Sequence, residues 1–314
     1  MQLGFHADGM LSKHGWQPGA GSSWDTHKAV KELSFFSNMG LEAYESVAGM
    51  SSKTAPWFHY SDDEWRLARK VAEDAGMNMY SILAWRRMIC RQPWADEKWQ
   101  DLLHIAHVAE ILGVKTIVVF IAPPVSLEPV AGTPTRPMIR SLWNATDRDF
   151  EISAEKLKQY CRQIAGFGAE ISLEIHSDCI HDCAPSAMRL LHMIDEPNVG
   201  INPDTLDNRW LFPGEDVPDP IEQAHMVAEH VNLWHIKQYL ISLNQETNEW
   251  ELKLEHADEG SFPIGEMMRI YIKAGFDGAA IHECGRGGDP AYSLKRFTDY
   301  MKWLRDEYVP SMPD

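Results

Sequence analysis

The chain has 314 residues, 44% of them hydrophobic and 24% charged, which is enough apolar sequence for a large core and too much for a disordered chain. Its 29 basic and 46 acidic residues leave a formal charge of −17, which repels phosphate backbones and anionic membrane surfaces and so argues against a nucleic-acid or membrane partner. Five scattered cysteines, the absence of a signal-like pattern after Met1 and the lack of an apolar run of about 18 residues predict a reduced, cytoplasmic protein that does not span a bilayer.

Taken in chain order, strand-forming sequence recurs at LGFHAD (3–8), LEAYES (41–46), MNMYSILAW (77–85), KTIVVFIA (115–122), ISLEIH (171–176), VGINPD (199–204), VNLWHIK (231–237) and GAAIHE (278–283). Between them lie amphipathic stretches with apolar positions near helical spacing and Ser or Asp at several starts, among them 25–39, 61–75, 96–112 and 153–167. Gly40, Gly76, Gly113 and Gly275 stand just ahead of strands, where a left-handed helix C-cap is most easily made by glycine. Strands alternating with helices require parallel crossovers, and eight such units predict an α/β fold of the (β/α)8 TIM barrel type, a single domain over 1–314. No GxGxxG opens an early helix, so a dinucleotide-binding sheet is disfavoured.

Two stretches break this rhythm. Residues 122–146 are Pro-rich and lack a sustained period, which predicts a long loop on the C-terminal side of strand four. After strand seven, YLISL and EWELKLE flank NQETN, and Trp250, Leu252 and Leu254 alternate with charged residues, which predicts a β-hairpin insertion. Both would rise over the barrel mouth.

In such a barrel the reactive groups come from the C-terminal ends of different strands, and side chains two apart on a strand share a face. That rule places Glu174, Asp204, His235 and Glu283 at the centre of the mouth and turns His282 toward the helices. Any one of these residues alone is more often a satisfied surface group, but three carboxylates and an imidazole on four successive strand ends are a ligand set for a divalent cation. Without a cation the carboxylates would repel one another in a low-dielectric mouth. Oxygen-rich ligation with one nitrogen suits Mn²⁺ best, with Mg²⁺, Co²⁺ or Zn²⁺ as alternatives.

With these residues the chain resembles the xylose-isomerase-like family of barrels, which includes ketose 3-epimerases, hydroxypyruvate isomerases and inosose dehydratases. The resemblance runs over nearly the whole chain and rests on Glu174 in SLEIH, Asp204 in INPDT, His235 in LWHIK and Glu283 in IHECGRGGDP, the positions at which that family holds its metal. It implies proton transfer next to a carbonyl through an enediolate, with Glu174 and Glu283 as the acid/base pair, on an unphosphorylated sugar or keto sugar. It also implies a homo-oligomer. The chain departs from the epimerase pattern at Asp207, where those relatives carry His.

Other residues bear on the reaction. His176 shares a face with Glu174 and could act as general acid or base, or be an imidazole hydrogen-bonded behind the ligands. Lys237 and Arg286 could neutralise an enediolate or act as charge partners of the acidic mouth. His6 and Trp85 are candidates for substrate contact, the latter by stacking on a sugar face, whereas Asp8 and Glu45 read as packing or rim groups. Cys179, His181 and Cys183 resemble a metal fragment, but three local ligands in a strand-to-helix loop read better as a reduced loop than as a zinc site. The leading function is a metal-dependent sugar isomerase or epimerase. Its rival is a lyase of the same fold, either an inosose dehydratase or an enzyme cleaving a 3-keto glycoside. A metal-dependent endonuclease is a distant third, because it needs a basic face that this chain lacks.

Overall fold

The computed structural model describes residues 1–7, 24–48, 56–84, 95–119, 145–176, 179–204, 218–247, 249–283 and 289–313. Within them β1 (Gln2–His6), β2 (Ala43–Val47), β3 (Asn78–Ala84), β4 (Thr116–Val119), β5 (Glu170–Glu174), β6 (Val199–Asn202), β7 (Leu233–Ile236) and β10 (Ala279–His282) form one parallel sheet in the order β6-β5-β4-β3-β2-β1-β10-β7. The ends of that order meet: Ile201 bridges Val231 in parallel and its carbonyl accepts the Asn232 N–H at 3.2 Å, which closes the barrel. β8 (Gln238–Asn244) and β9 (Glu249–Glu255) are the antiparallel hairpin expected after strand seven. Of the predicted loop over 122–146, residues 122–144 lie outside the described residues, and Thr146 is already the N-cap of the next helix.

Helices α1 (Thr26–Asn38), α2 (Asp62–Asp74), α3 (Ala95–Leu112), α4 (Asp147–Ala165), α5 (Ala184–Ile194), α6 (Pro220–Val227), α7 (Ile264–Lys273) and α8 (Pro290–Trp303) fill the crossovers. Local chemistry sets their ends. Ser61 and Glu64 form a reciprocal capping box at the start of α2, as Thr146 and Asp149 do for α4. At the far end of α2, Gly76 has φ +71°, its N–H bonds the Glu73 carbonyl at 3.0 Å, and Met77 N–H reaches back to Ala72 at 3.0 Å. This six-to-one and five-to-two pattern turns the chain toward β3 and buries Met77 against the helix it leaves. Gly40, Gly113 and Gly275 also have positive φ, as expected, and Gly168 joins them.

The strands are buried on both faces, which is why they read as nearly continuous apolar runs. Leu3, Phe5, Tyr44, Ile82, Ile117, Ile171, Leu173, Ile201 and Trp234 face the helices in one large cluster. A smaller cluster that includes Ala43, Leu83, Val118, Leu233, Ala279 and Ile281 fills the barrel interior. His282 faces outward as expected, 4.7 Å from the Phe297 ring of α8. Near the base of the barrel the Asn232 carboxamide crosses to β5, accepting from Ser172 Oγ at 2.6 Å and donating to the Ile171 carbonyl at 2.9 Å. Gly200 makes room for it, since a Cβ there would meet Asn232 at 2.3 Å.

β2 and β3 carry a register shift between Tyr44 and Glu45, so Glu45 lies opposite Ser81 instead of Tyr80. At the start of the hairpin, the buried Gln238 side chain accepts from Tyr239 N and Phe262 N and donates to Phe262 O, each at 3.0 Å. Gly260 leaves space for that side chain. Among the described residues no helix is long and apolar enough to cross a membrane.

Closure is tight at Gly4 of β1, where a Cβ would stand 2.5 Å from Ile281 Cδ1 and 2.8 Å from the Ala43 carbonyl oxygen. The backbone contact cannot be relieved by a rotamer change, so Gly4→Ala is expected to cost about 1–3 kcal/mol by overpacking. Urea unfolding tests this: the midpoint should fall at unchanged slope, and an unchanged midpoint would show that the interior has slack at this level.

Candidate functional site

Parallel register delivers a set of polar side chains to the C-terminal end of the barrel. Glu174 ends β5 opposite Asn202 of β6, His235 lies on β7 level with Ile281 of β10, Glu283 follows β10, and Glu45 of β2 pairs in register with His6 of β1. His235 is the centre. Its Nδ1 lies 3.2 Å from Glu174 Oε1 and 3.2 Å from Glu283 Oε2. On the other side of the ring, Nε2 lies 3.0 Å and 3.1 Å from the two oxygens of Glu45. The His235 backbone N–H donates to Asn202 Oδ1 at 2.7 Å, which fixes the main chain at this point.

A second centre is Lys237, two residues on. Its buried ammonium lies 2.7 Å from Asp204 Oδ2 and 2.5 Å from Glu283 Oε2, so it ties β7 to the residues that follow β6 and β10. Three of the four expected ligands therefore converge directly: the ligand atoms of Glu174, His235 and Glu283 lie within 4.8 Å of one another. Asp204 joins them through Lys237.

These residues fit a divalent cation. Glu174 Oε2 is buried and has no hydrogen-bond partner among the described residues. A carboxylate oxygen left so in the interior is costly unless a cation or a proton satisfies it. Two carboxylates and one imidazole around a common point are hard and borderline donors, suited to Mn²⁺, Mg²⁺ or Zn²⁺.

Electrostatics separates the two glutamates. Burial raises the proton affinity of Glu174 above the usual carboxylate range, and the attraction of His235 offsets only part of that. Burial opposes ionisation of Glu283 too, but the Lys237 ammonium and His235 outweigh it and hold its carboxyl below the usual range. For His235 burial disfavours the charged form, yet Glu45 and Glu174 more than compensate and the imidazole is held well above its ordinary value. Lys237 follows the same pattern, with Asp204 and Glu283 overcoming burial.

Other expected site residues fall in different places. His6 is buried at the end of β1, its Nε2 3.6 Å from Glu45 Oε1. His176 lies two residues beyond β5, partly buried, and its carbonyl accepts the Cys179 N–H at 3.0 Å. Trp85, Arg286, Asp8 and Asp207 lie outside the described residues. Cys179, His181 and Cys183 are all buried, and no metal-type grouping of them occurs among the described residues. Instead Cys183 caps α5 by hydrogen-bonding with Ser186, and His181 bonds the backbone of Glu174.

Sequence reasoning read Glu45 only as a packing or rim group, and it assigned no role to Ser81 or to the side chain of Asn202. The one available signal was a carboxylate within the strand candidate LEAYES (41–46), between Tyr44 and Ser46, where a solvated rim group is out of place.

A parallel eight-stranded barrel with an acidic, imidazole-centred mouth is the class of protein that fold and site define. The chain belongs to the xylose isomerase-like TIM barrel family, whose model matches residues 33–307. Among solved structures it is similar to a xylose isomerase-like TIM barrel protein from Mycobacterium smegmatis in complex with magnesium, at 17% identity and TM-score 0.73, covering 98% of this chain and 97% of that one. It is also similar to D-psicose 3-epimerase from Clostridium cellulolyticum H10, crystallised with D-tagatose, at 14% identity and TM-score 0.65, covering 98% and 99%. A third structure is described as a probable 3-DHS dehydratase, AsbF, of Bacillus anthracis, at 15% identity and TM-score 0.66, covering 96% and 99%. At these identities the likeness is one of fold. No curated protein sequence matches the chain.

Two outcomes follow from the charges. Lys237→Met leaves Asp204 and Glu283 buried without their shared cation, so metal-free protein is expected to lose about 3–5 kcal/mol by urea unfolding. A loss of under about 1 kcal/mol, the scale of an exposed pair, would mean that the ammonium carries little of the balance. His181 gives a pH signature: burial pushes its imidazole down to about 3 from an unfolded value of 6.5. As pH falls below about 6.5 the unfolded chain takes up a proton that the folded chain refuses, so this contribution is full above that pH and is lost toward pH 3. The stability advantage of wild type over His181→Gln should shrink as pH falls from about 7 to about 4. An advantage constant across that range would contradict the assignment.

Proposed function

We propose that the chain is a divalent-metal-dependent isomerase or epimerase that moves a proton next to the carbonyl of an unphosphorylated sugar or keto sugar. The observation that carries this reading is the pair of glutamates at His235 Nδ1, Glu174 buried and Glu283 nearly so, with proton affinities driven apart, Glu174 up and Glu283 down. Carboxyl groups separated in this way suit a general acid and a general base working within one mouth.

Glu174, His235 and Glu283 would hold the cation, with Asp204 as the fourth ligand where Lys237 yields it. The cation supplies Lewis acidity that polarises a carbonyl and makes the neighbouring C–H more acidic. Glu283, whose proton affinity is lowered by Lys237 and His235, is suited to take that proton, and Glu174, whose proton affinity burial raises, is suited to return a proton at the other carbon or face. Lys237 offers a fixed ammonium to the negative oxygen that develops, and His6 and His176 border the same end of the barrel. The surrounding carboxylates favour a neutral polyol over a phosphate ester, which would bring about −1.5 to −2 of further charge. The similarity to an epimerase structure crystallised with D-tagatose supports a carbohydrate substrate.

A lyase reading shares every residue. It is favoured by the buried Lys237 ammonium, a donor able to stabilise an enolate oxygen while a substituent β to the carbonyl leaves, and by the fold likeness to the dehydratase-type structure. The two readings differ in product, so one experiment separates them.

Mn²⁺-loaded protein in D₂O is incubated with a panel of ketoses, inososes and 3-keto glycosides, and proton exchange is followed by NMR. One substrate is expected to exchange a single α-proton, and Glu283→Gln or Glu174→Gln to slow that exchange by about 10²–10⁴-fold, the usual yield of a general acid or base. Exchange with an isomeric product supports the isomerase or epimerase, and release of water or aglycone supports the lyase. No exchange on any substrate by metal-loaded protein would overturn the proposed chemistry.

A further inference from the structure

The strongest unassigned feature is Glu45, a fully buried carboxylate that sits behind the candidate ligands. Its two oxygens lie 3.0 Å and 3.1 Å from Nε2 of His235, and Ser81 Oγ donates to Oε2 at 2.7 Å. The opposite ring nitrogen, Nδ1, is the one that faces Glu174 and Glu283. We infer that Glu45 is a positioning residue, which holds the proton of His235 on Nε2 and so presents Nδ1 as the nitrogen donor to the cation. The inference rests on the metal reading proposed above and deepens it.

Three physical points support it. A neutral imidazole has two tautomers, and the hydrogen bond made by one nitrogen decides which lone pair is free at the other. Glu45 is acceptor-only when ionised, so it selects Nε2–H. The carboxylate is itself aimed by tertiary structure, since the register shift between Tyr44 and Glu45 places it opposite Ser81, whereas unshifted pairing would set it opposite Tyr80. The chain Ser81 to Glu45 to His235 thus runs from β3 through β2 to β7 across the barrel interior. His6 Nε2, at 3.6 Å, faces the same carboxylate from β1 and adds a polar wall.

A carboxylate hydrogen-bonded to the far nitrogen of a ligating imidazole fixes the orientation of the ring and raises its donor strength, and removing such a partner weakens metal binding by about 10–100-fold. Glu45→Gln keeps the volume and one acceptor oxygen but loses the charge and the exclusive preference for Nε2–H. Ser81→Ala leaves the carboxylate in place but frees it to turn.

The test measures Mn²⁺ affinity by electron paramagnetic resonance for wild type, Glu45→Gln and Ser81→Ala, with circular dichroism and metal-free thermal midpoints alongside. Nitrogen-15 NMR of the Zn²⁺-loaded wild type reads which nitrogen of His235 carries the proton. Expected are Mn²⁺ binding by wild type, a loss of about 10–100-fold in Glu45→Gln, a smaller loss in Ser81→Ala, and a protonated Nε2 in the Zn²⁺ form. Equal Mn²⁺ affinity in wild type and folded Glu45→Gln, or a protonated Nδ1 in the Zn²⁺ form, overturns the role of Glu45 and leaves the metal site standing. Should Glu45→Gln not fold, the Ser81→Ala affinity and the wild-type NMR decide the matter, and unchanged affinity with the wrong tautomer overturns the inference. Failure of wild type itself to bind Mn²⁺ overturns the metal reading and this inference with it.

Discussion

The gathering of four carboxylates, three buried and Glu283 mostly so, at one end of a barrel is the constraint on which the rest of this molecule depends. Removing an ion from water costs several kcal/mol even after relaxation, so Glu45, Glu174, Asp204 and Glu283 are tolerable there only with counter-charges of matching geometry. Two groups on one strand end, His235 and Lys237, supply them. The imidazole serves Glu45, Glu174 and Glu283, and the ammonium serves Asp204 and Glu283. Glu283 touches both cations, which is why it stays ionised while Glu174, with the imidazole alone at close range, tends toward its protonated form. The inequality that makes an acid and a base out of two identical side chains is therefore a matter of strand adjacency: β10 lies beside β7 in the sheet, and β5 does not.

The same constraint explains the apolar sequence around the site. A mouth so densely charged needs a rigid frame, and the frame comes from small residues that let the strands close tightly, Gly4, Ala43 and Ala279 within and large side chains such as Trp234 and Phe5 outside. Rigidity matters because a shift of about 1 Å in a catalytic group can forfeit a large part of its effect. The Asn202 and Asn232 carboxamides add polar cross-links where apolar packing alone would allow slippage, one holding the His235 backbone and the other spanning to β5.

Much of this was legible from local sequence, because local sequence carries the relevant physics. Glycine ahead of each of several strands follows from the left-handed turn that ends a helix, and Gly40, Gly76, Gly113 and Gly275 adopt it. The hairpin after β7 was readable from alternation about a polar turn. Glu174, His235 and Glu283 were readable because a period of two assigns faces along a strand, and a barrel has one face that converges. What was not legible depends on relations between strands. Glu45 gains its meaning from a register shift against β3, and Lys237, readable as a charge partner of the acidic mouth, gains its particular partners Asp204 and Glu283 from the meeting of β7 with the residues that follow β6 and β10. The partner of the Asn202 side chain is a backbone N–H on another strand, which no spacing in the sequence reveals.

The clamp at Gln238 has a consequence for how this protein can change over evolutionary time. The hairpin departs from the barrel immediately after Lys237, so a distortion of its strands would be expected to pull on the ammonium that Asp204 and Glu283 share. Gln238 interrupts that path by gripping the backbone of Tyr239 and Phe262 at the point of departure. Beyond that grip and the packing of Tyr239 and Ile241 on the core, the outer part of the hairpin is exposed, so its length and surface can drift and acquire new contacts while the ammonium one residue before the clamp keeps its place.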